Sequence, residues 1–446
     1  MKTMTFKIGG IHPDDRKQLS VHREIAPVPL PDEVVVPLNQ HLGKPATCLV
    51  NPKDEVTAGQ LIGEADGFIS ANVHSPVSGT VKKVERRMSA LGTMENMVLI
   101  TVDRDKTDED LARFQDVQVE HPLELAPEKL LAAIKDAGIV GQGGATFPTH
   151  VKLSPPPDRN IDLVVVNAAE CEPYLTADHQ LMLEAPDAML LGTRIVMRIL
   201  GVDQGIIGIE VNKPDAIELL QQRIQETGAT GISVVPLKTR YPQGGEKQLI
   251  QAVCGREVPS GKLPFDVGVM VQNVGTVVSI QEAVVHGKPL MDRITTITGF
   301  VNRPGNYRIS MGVPFAHAIQ TGADGFPDPK RLAAVINGGP MMGKSIRQLD
   351  VPVIKGTSGI LVLSDGDVDV RPEGPCIRCG RCVDACAMGL MPTELAVSAQ
   401  QKNAAGLKDA MDCIECGSCS YVCPTGRELV HWIRIGKAVF RNARRG

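Results

Sequence analysis

Gly141-Gln142-Gly143-Gly144-Ala145-Thr146-Phe147-Pro148-Thr149-His150-Val151-Lys152 stands between a helix-patterned stretch, Pro127–Ala137 closed by Gly138, and an apolar strand, Ile161–Val166. Three glycines in four positions (Gly141, Gly143, Gly144) let the backbone approach a bulky planar or phosphorylated ligand with its amides pointing inward. Lys152 offers a charge to a phosphate. The spacing is neither the dinucleotide fingerprint nor a Walker loop, so an ordinary Gly-rich turn stays open on these residues alone. Downstream, His179–Leu200 and Pro214–Glu226 carry helical patterns, and Ile206–Val211 and Val267–Val271 read as strands between them. Strands alternating with helices predict an α/β domain with a largely parallel sheet, over residues 125–290.

The whole chain has 446 residues, a prior for about three domains. With 47 Lys+Arg against 51 Asp+Glu the formal charge is −4, and 43% hydrophobic with 22% charged residues describes a globular chain, not a disordered one. One Trp, four Tyr and nine Phe are too few for stacking platforms, and the mild acidity disfavours a phosphate backbone, so no nucleic-acid partner is expected. No apolar run reaches the ~18 residues of a membrane span. The N-terminus, from Met1 to Gly10, lacks the apolar core of a secretory signal. A cytoplasmic chain that docks at a membrane without crossing it is the expectation.

Residues 1–124 read as β-rich, with runs at Glu33–Pro37 and Thr47–Val50 and an alternating stretch from Val73 to Val84. The phrase from Pro52 to Gly63, followed by Ser75-Pro76-Val77-Ser78-Gly79-Thr80-Val81, resembles the hammerhead barrel of biotinyl and lipoyl carrier domains. Those carriers need a lysine at a hairpin tip, and none lies between Asp66 and Val81. A barrel-sandwich module without a swinging arm is expected. Residues 291–365 turn β-rich again, through Thr295–Tyr307 and the tight Gly338-Gly339-Pro340-Met341-Met342-Gly343, and resemble the β-grasp-like SLBB domain. Polar Ser364–Gly374 reads as a linker into residues 366–446. No long-period repeat is evident.

Eight of eleven cysteines fall in two runs, Cys376-x-x-Cys379-x-x-Cys382-x-x-x-Cys386 and Cys413-x-x-Cys416-x-x-Cys419-x-x-x-Cys423-Pro424. Two-residue gaps let three thiolates of one loop reach one cubane, and in two-cluster ferredoxins the fourth ligand comes from the other run. Cys376, Cys379, Cys382 and Cys423 are therefore assigned to one 4Fe–4S cluster, and Cys413, Cys416, Cys419 and Cys386 to a second. Four-cysteine zinc sites are the competing reading, but zinc ligands usually come as separated pairs. Thr393–Met411 predicts a helix between the runs.

The Gly-rich loop with Phe147-Pro148 and Lys152 resembles the flavin-bearing, NADH-oxidising subunit of respiratory complex I. Three further segments of that family follow in order: Asn167-Ala168-Ala169-Glu170-Cys171-Glu172-Pro173, Gly245-Glu246-Lys247 and Asn273-Val274-Gly275-Thr276. The resemblance implies FMN in the loop, with NAD(H) admitted beside it as substrate. It implies Asn167 and Asn273 at the flavin edge, Phe147 stacked on an adenine or nicotinamide face, Glu172 at the dinucleotide entrance, and Glu170 among the cofactor-binding residues. Ala169 and Lys247 depart from the family, at an acidic flavin-site position and at a second Glu.

With Gly9-Gly10-Ile11-His12-Pro13, the barrel, the SLBB stretch and the two-cluster tail, the order resembles the C subunits of Rnf electron-transport complexes. That resemblance implies a multidomain α/β chain, peripheral on the cytoplasmic face of the inner membrane. It implies an NAD:ferredoxin oxidoreductase subunit whose partners are the membrane and ferredoxin-like subunits, with ferredoxin itself reached indirectly. Reduced ferredoxin would feed the complex and NAD would be reduced here; ion pumping would belong to the membrane partners. Two other readings stand: an NADH-dependent cobalamin reductase of a microcompartment, disfavoured by Gly9–Pro13, and a non-catalytic iron–sulfur relay or docking protein. Cys48, Cys171 and Cys254 read as incidental thiols. Residues 427–446 predict a basic amphipathic helix, to dock on anionic headgroups or a membrane partner, or to pack on the cluster domain.

Overall fold

The computed structural model describes residues 3–368 and 372–444. Its central sheet has four parallel strands in the order Ile232–Leu237, Gly205–Glu210, Leu163–Ala168, Val269–Asn273. Along Leu163–Ala168 the side chains alternate between two cores. Val164, Val166 and Ala168 face the larger one with helices Pro127–Asp136, Pro186–Leu200 and Val274–His286. Leu163 and Val165 face the smaller, under helix Glu246–Cys254. A sheet buried on both faces explains why these strands read as continuous apolar runs. The helix expected over His179–Leu200 is two helices, Ala177–Glu184 and Pro186–Leu200. Pro186 has no N–H to donate and excludes the preceding residue from helical geometry, so Ala185 sits at φ −131° between them.

The two β modules are far apart in sequence and share one core. The N-terminal module pairs Glu33–Pro37, Met94–Asp103, Ser78–Met88 and Glu55–Val56, facing a three-stranded sheet of Thr47–Cys48, Leu61–Glu64 and Val73–His74. The second is a six-stranded sheet in the order Ala26–Pro27, Gly305–Ser310, Asp292–Gly299, Gly359–Ser364, Leu332–Asn337, Lys344–Ile346. Val34, Val36, Val98 and Ile100 of the first pack with Ile297, Ile309, Phe315 and Ile360 of the second.

Residues 3–27 do not stay in the β module. Met4 bridges to Leu237, Ile11 to Tyr241, and Ala26–Pro27 joins the six-stranded sheet beside Tyr307 and Arg308. This N-terminal strap crosses the flank of the parallel-sheet domain before the barrel begins.

The two identically spaced cysteine runs fold as a structural repeat. Cys376–Leu390 matches Cys413–Arg427 thirty-seven residues on. Arg378 and Glu415 both have positive φ (56° and 58°), as do Gly380 and Gly417 (79° and 78°), and short helices Arg381–Asp384 and Ser418–Tyr421 follow. The helix expected over Thr393–Met411 is an α-helix, Pro392–Gln400, and a 3₁₀ stretch, Ala404–Asp412, parted where Lys402 turns to φ 52°. The C-terminal helix, Leu429–Ala443, packs on them. Leu429 and Ile433 are buried, and Ile433 meets Leu395, Ala399, Leu407 and Ala410. Among the described residues no helix is long and apolar enough to cross a membrane.

Lys355 pins the modules together. Its buried Nζ donates to the carbonyls of Asn72 in the barrel and Gly138 in the α/β domain, both at 2.7 Å. Burial lowers its pKa from 10.5 to about 7. Between those values the unfolded chain holds a proton that the folded one lacks, so stability from this group rises with pH. Relative to Lys355→Met, the parent protein should therefore gain stability from pH 7 towards 10. Parallel unfolding midpoints of the two proteins over that range would show that Lys355 does not titrate across the fold.

Candidate functional site

The parallel sheet reverses its order between Leu163–Ala168, first in the chain, and Val269–Asn273, last in the chain. At such a switch point the connections leave in opposite directions and open a crevice beyond the carboxyl ends of the strands. Asn167 and Asn273 are register partners at those ends. The Gly-rich loop closes on the same spot. Gly141 N–H donates to the Phe147 carbonyl at 2.9 Å, leaving Gly143, Gly144 and Ala145 exposed at the tip. A Cβ on Gly143 would lie 2.8 Å from Asn273 Nδ2, so only glycine lets loop and asparagine meet.

Asn273 Nδ2 donates to the Asp178 carboxylate at 2.6 Å, and its Oδ1 is buried without a partner. An orphaned acceptor at a switch-point crevice suits the N–H edge of an isoalloxazine ring. Asn167 Nδ2 donates to the Gly244 carbonyl at 2.8 Å, which brings the segment of Gly245 and Glu246 to the crevice. Phe147 is half-buried at the loop's base. Lys152 reaches Glu246 at 2.8 Å, in a partly exposed ion pair.

Other expected site residues serve the wall. Thr276 accepts the Gln142 N–H at 2.9 Å. Glu170 accepts from the Asp178 amide, and burial raises its pKa to about 7. Glu172 Oε1 accepts the amides of Met341 and Met342 (2.6 and 3.0 Å), binding a turn of the six-stranded β module to the α/β domain. Sequence reasoning missed the cations that hold this wall. Lys17 donates to the carbonyls of Glu170, Glu172 and Leu175, and Lys213 to Ala169. Arg293 holds the Gln142 carbonyl. Each acts on carbonyls far from it in sequence, with no motif to mark it.

The eight thiols border two cavities in the expected quartets. Cys376, Cys379, Cys382 and Cys423 line one, and Cys386, Cys413, Cys416 and Cys419 the other. No trio of Cys, His, Asp or Glu among the described residues is gathered round a single metal ion. A cubane instead spreads four ligands over four irons. The repeat places backbone N–H donors on equivalent sulfurs: Arg378 to Cys376 and Glu415 to Cys413, Leu390 to Cys386 and Arg427 to Cys423, at 3.3–3.4 Å. Burial pushes the Cys419 thiol up to about 12, so bound iron would have to draw off its proton.

The quartets differ in surroundings. Cys376 and Cys379 are exposed. The second quartet leans on the α/β domain, where Tyr241 Oη donates to the Cys416 carbonyl at 2.8 Å and Gln248 Nε2 to the Ala387 carbonyl at 3.1 Å. Cys171 lies in this wall, its sulfur accepting the Gly244 N–H at 3.2 Å, and burial raises its pKa. Segment 241–245 thus touches Asn167 at one end and a cysteine loop at the other.

Four family models match in chain order: the RnfC barrel sandwich hybrid domain over 4–105, the Nuo51 FMN-binding domain over 134–282, the SLBB domain over 294–345 and a 4Fe–4S dicluster domain over 375–427. The chain is 44% identical to the C subunit of the proton-translocating ferredoxin:NAD(+) oxidoreductase complex of Clostridium ljungdahlii, over 88% of this chain and 84% of that one. It is 43% identical to the C subunit of the Na(+)-translocating ferredoxin:NAD(+) oxidoreductase complex of Acetobacterium woodii, over 98% and 97%. The C subunit of the ion-translocating oxidoreductase complex of Rhodobacter capsulatus is 41% identical, over 87% and 73%. The fold is similar to that of a chain of an NAD+-reducing [NiFe]-hydrogenase, with a TM-score of 0.52 and 19% identity, over 75% of this chain and 70% of that one.

Gly143→Val should displace Asn273 and weaken FMN retention by about ten- to a hundredfold, the cost of ~1–3 kcal/mol of overpacking. Flavin fluorescence released on denaturing the purified variant measures it. Full flavin occupancy would mean that the loop tip is not the flavin's seat.

Proposed function

We infer the working of the chain from one premise: it belongs to the family of C subunits of ion-translocating ferredoxin:NAD oxidoreductase complexes of the Rnf type. It exchanges electrons between NAD(H) and iron–sulfur partners, as a peripheral subunit with an FMN-binding domain and iron–sulfur clusters. The finer assignment is that Gly141, Gly143, Gly144, Phe147, Asn167, Gly245, Asn273 and Thr276 cradle FMN. Lys152 and Glu246 stand at its mouth, and Glu170 and Glu172 brace the wall behind. The two cysteine quartets hold one 4Fe–4S cluster each, and NAD(H) is the substrate at the crevice. The observation that carries this is segment 241–245, which hydrogen-bonds Asn167 through Gly244 and the Cys416 carbonyl through Tyr241.

FMN, when bound, supplies the conversion between a hydride's electron pair and single electrons. In balance, NADH and two oxidised clusters give NAD+, one proton and two clusters each reduced by one electron; the partners drive it in reverse. Asn273, held by Asp178, offers an acceptor to the ring edge, and Asn167 fixes the loop facing it. The quartet of Cys386, Cys413, Cys416 and Cys419 is the inner relay. The exposed quartet faces partners. We place its work on the cytoplasmic face of the inner membrane, with ion passage left to other subunits; what supports this reading is that no described helix could cross a bilayer, while the relatives are subunits of ion-translocating complexes. Neither the cobalamin-reductase nor the vestigial-flavin reading finds support among these relatives.

Anaerobic isolation should yield FMN and about eight irons per chain. NADH should bleach the flavin and bring up electron spin resonance signals of reduced cubanes. Cys416→Ser should lower iron to about four per chain and leave flavin bleaching intact. Iron retained without any flavin would support the relay reading instead, and bound zinc would overturn the cluster assignment.

A further inference from the structure

Gly9-Gly10-Ile11-His12-Pro13 takes no part in either cofactor cavity, yet its geometry is tightly specified. Arg240 stacks on Phe6, 4.4 Å from the ring centre, and reaches the carbonyls of Phe6 (3.1 Å) and Gly9. The strap then turns through two left-handed residues, Gly9 (φ 66°) and Gly10 (φ 86°). Gly10 N–H donates to the Ala385 carbonyl at 2.9 Å, one residue before Cys386. Ile11 and Tyr241 exchange both backbone hydrogen bonds (2.8 and 2.9 Å), and Tyr241 Oη holds the Cys416 carbonyl. Ile11, Tyr241 and Ala385 are buried together, with Cys171, Met341, Cys416 and Val422 packed around them. The peptides of two ligand loops of the inner quartet, at Ala385 and Cys416, are thus tied to one two-residue ladder on the flavin domain. Any Cβ on Gly9 would overlap the Cys386 backbone, and one on Gly10 would lie 2.6–2.7 Å from Arg240 Nε and Phe6 Cζ.

We propose that Gly9–Ile11 is an inter-cofactor clamp: a positioning element that presses the Cys386 loop against the flavin domain and so sets the gap an electron crosses between FMN and the inner cluster. This rests on the cofactor assignment above. Transfer of an electron through protein falls steeply with separation, so glycine at position 9 is a requirement of rate, beyond one of folding. A methyl group there pushes the Cys386 loop outward while Asn167, Asn273 and the other seven thiols keep their own supports.

The test uses the full chain with both cofactors. Gly9→Ala should keep the parent's flavin and iron contents and the parent's rate of flavin bleaching by NADH. The appearance of reduced-cluster resonance after rapid mixing should slow severalfold, because transfer weakens with every ångström that the gap gains. Hydrogen exchange at the Gly10 and Tyr241 amides should quicken. Gly92→Ala is the control, because Gly92 also has positive φ (78°) but nothing within 4 Å of a Cβ; it should leave every readout unchanged. Tyr241→Phe removes the hydroxyl with its bond to the Cys416 carbonyl and its contact with Glu172, keeps the backbone ladder, and should slow the same step and alter the resonance of one cluster alone. A parent-like cluster-reduction rate in Gly9→Ala despite quickened exchange overturns the clamp. So does a parent-like rate in Tyr241→Phe should Gly9→Ala lose its cofactors. Absence of flavin or clusters from the parent protein overturns the cofactor assignment itself.

Discussion

Two asparagine side chains stand next to each other where the parallel sheet reverses its order, and the rest of the molecule is arranged round that pairing. Asn167 and Asn273 come from strands more than a hundred residues apart, yet the register brings them to the same height at the crevice. The Gly-rich loop fits against one and segment 241–245 against the other. Open α/β sheets bind ligands at this point for a topological reason, and the chain adds to it by leaving Asn273 Oδ1 without a protein partner. The β modules and the cysteine domain then pack on the sides of this crevice.

The wall of the crevice is unusual in its charge. Behind the segment from Ala169 to Leu175, which contains Glu170 and Tyr174 at positive φ, Lys17 and Lys213 place buried ammonium groups on backbone carbonyls. Glu210 lies beside Lys213 at 3.8 Å and Glu170 beside Lys17 at 3.9 Å. Buried pairs of this kind add little net stability, but removing one partner leaves an uncompensated charge. The arrangement specifies one conformation for a loop that regular secondary structure does not hold.

What the sequence reveals follows the range of each interaction. Cysteine spacing is local chemistry, and both quartets are legible in it before any fold is known; the structure gathers the same eight thiols. The loop glycines and the two asparagines are legible through their order along the chain. Lys17, Arg293 and Lys355 are not, because each acts on carbonyls far away in sequence and leaves no pattern of its own. The break at Ala185–Pro186 was readable from the proline, but the apolar period on both sides masked it. The shared spacing of the two cysteine runs is legible, but not that the two halves serve different neighbours. Arg378 and Arg381 are exposed in one, whereas Glu415 pairs with Arg434 and Lys437 in the other. Those pairs, with Lys437 on the Cys413 carbonyl, turn the basic C-terminal helix inward onto the cluster domain.

The N-terminal strap has a consequence for the order of synthesis. Its residues are made well before the partners they pair with: Leu237, Tyr241, Tyr307 and Ala385. Domains usually fold one after another from the amino end during translation. Here the opening segment must wait, unpaired, until three later modules have formed. Closure of the strap then follows the folding of the modules that it joins.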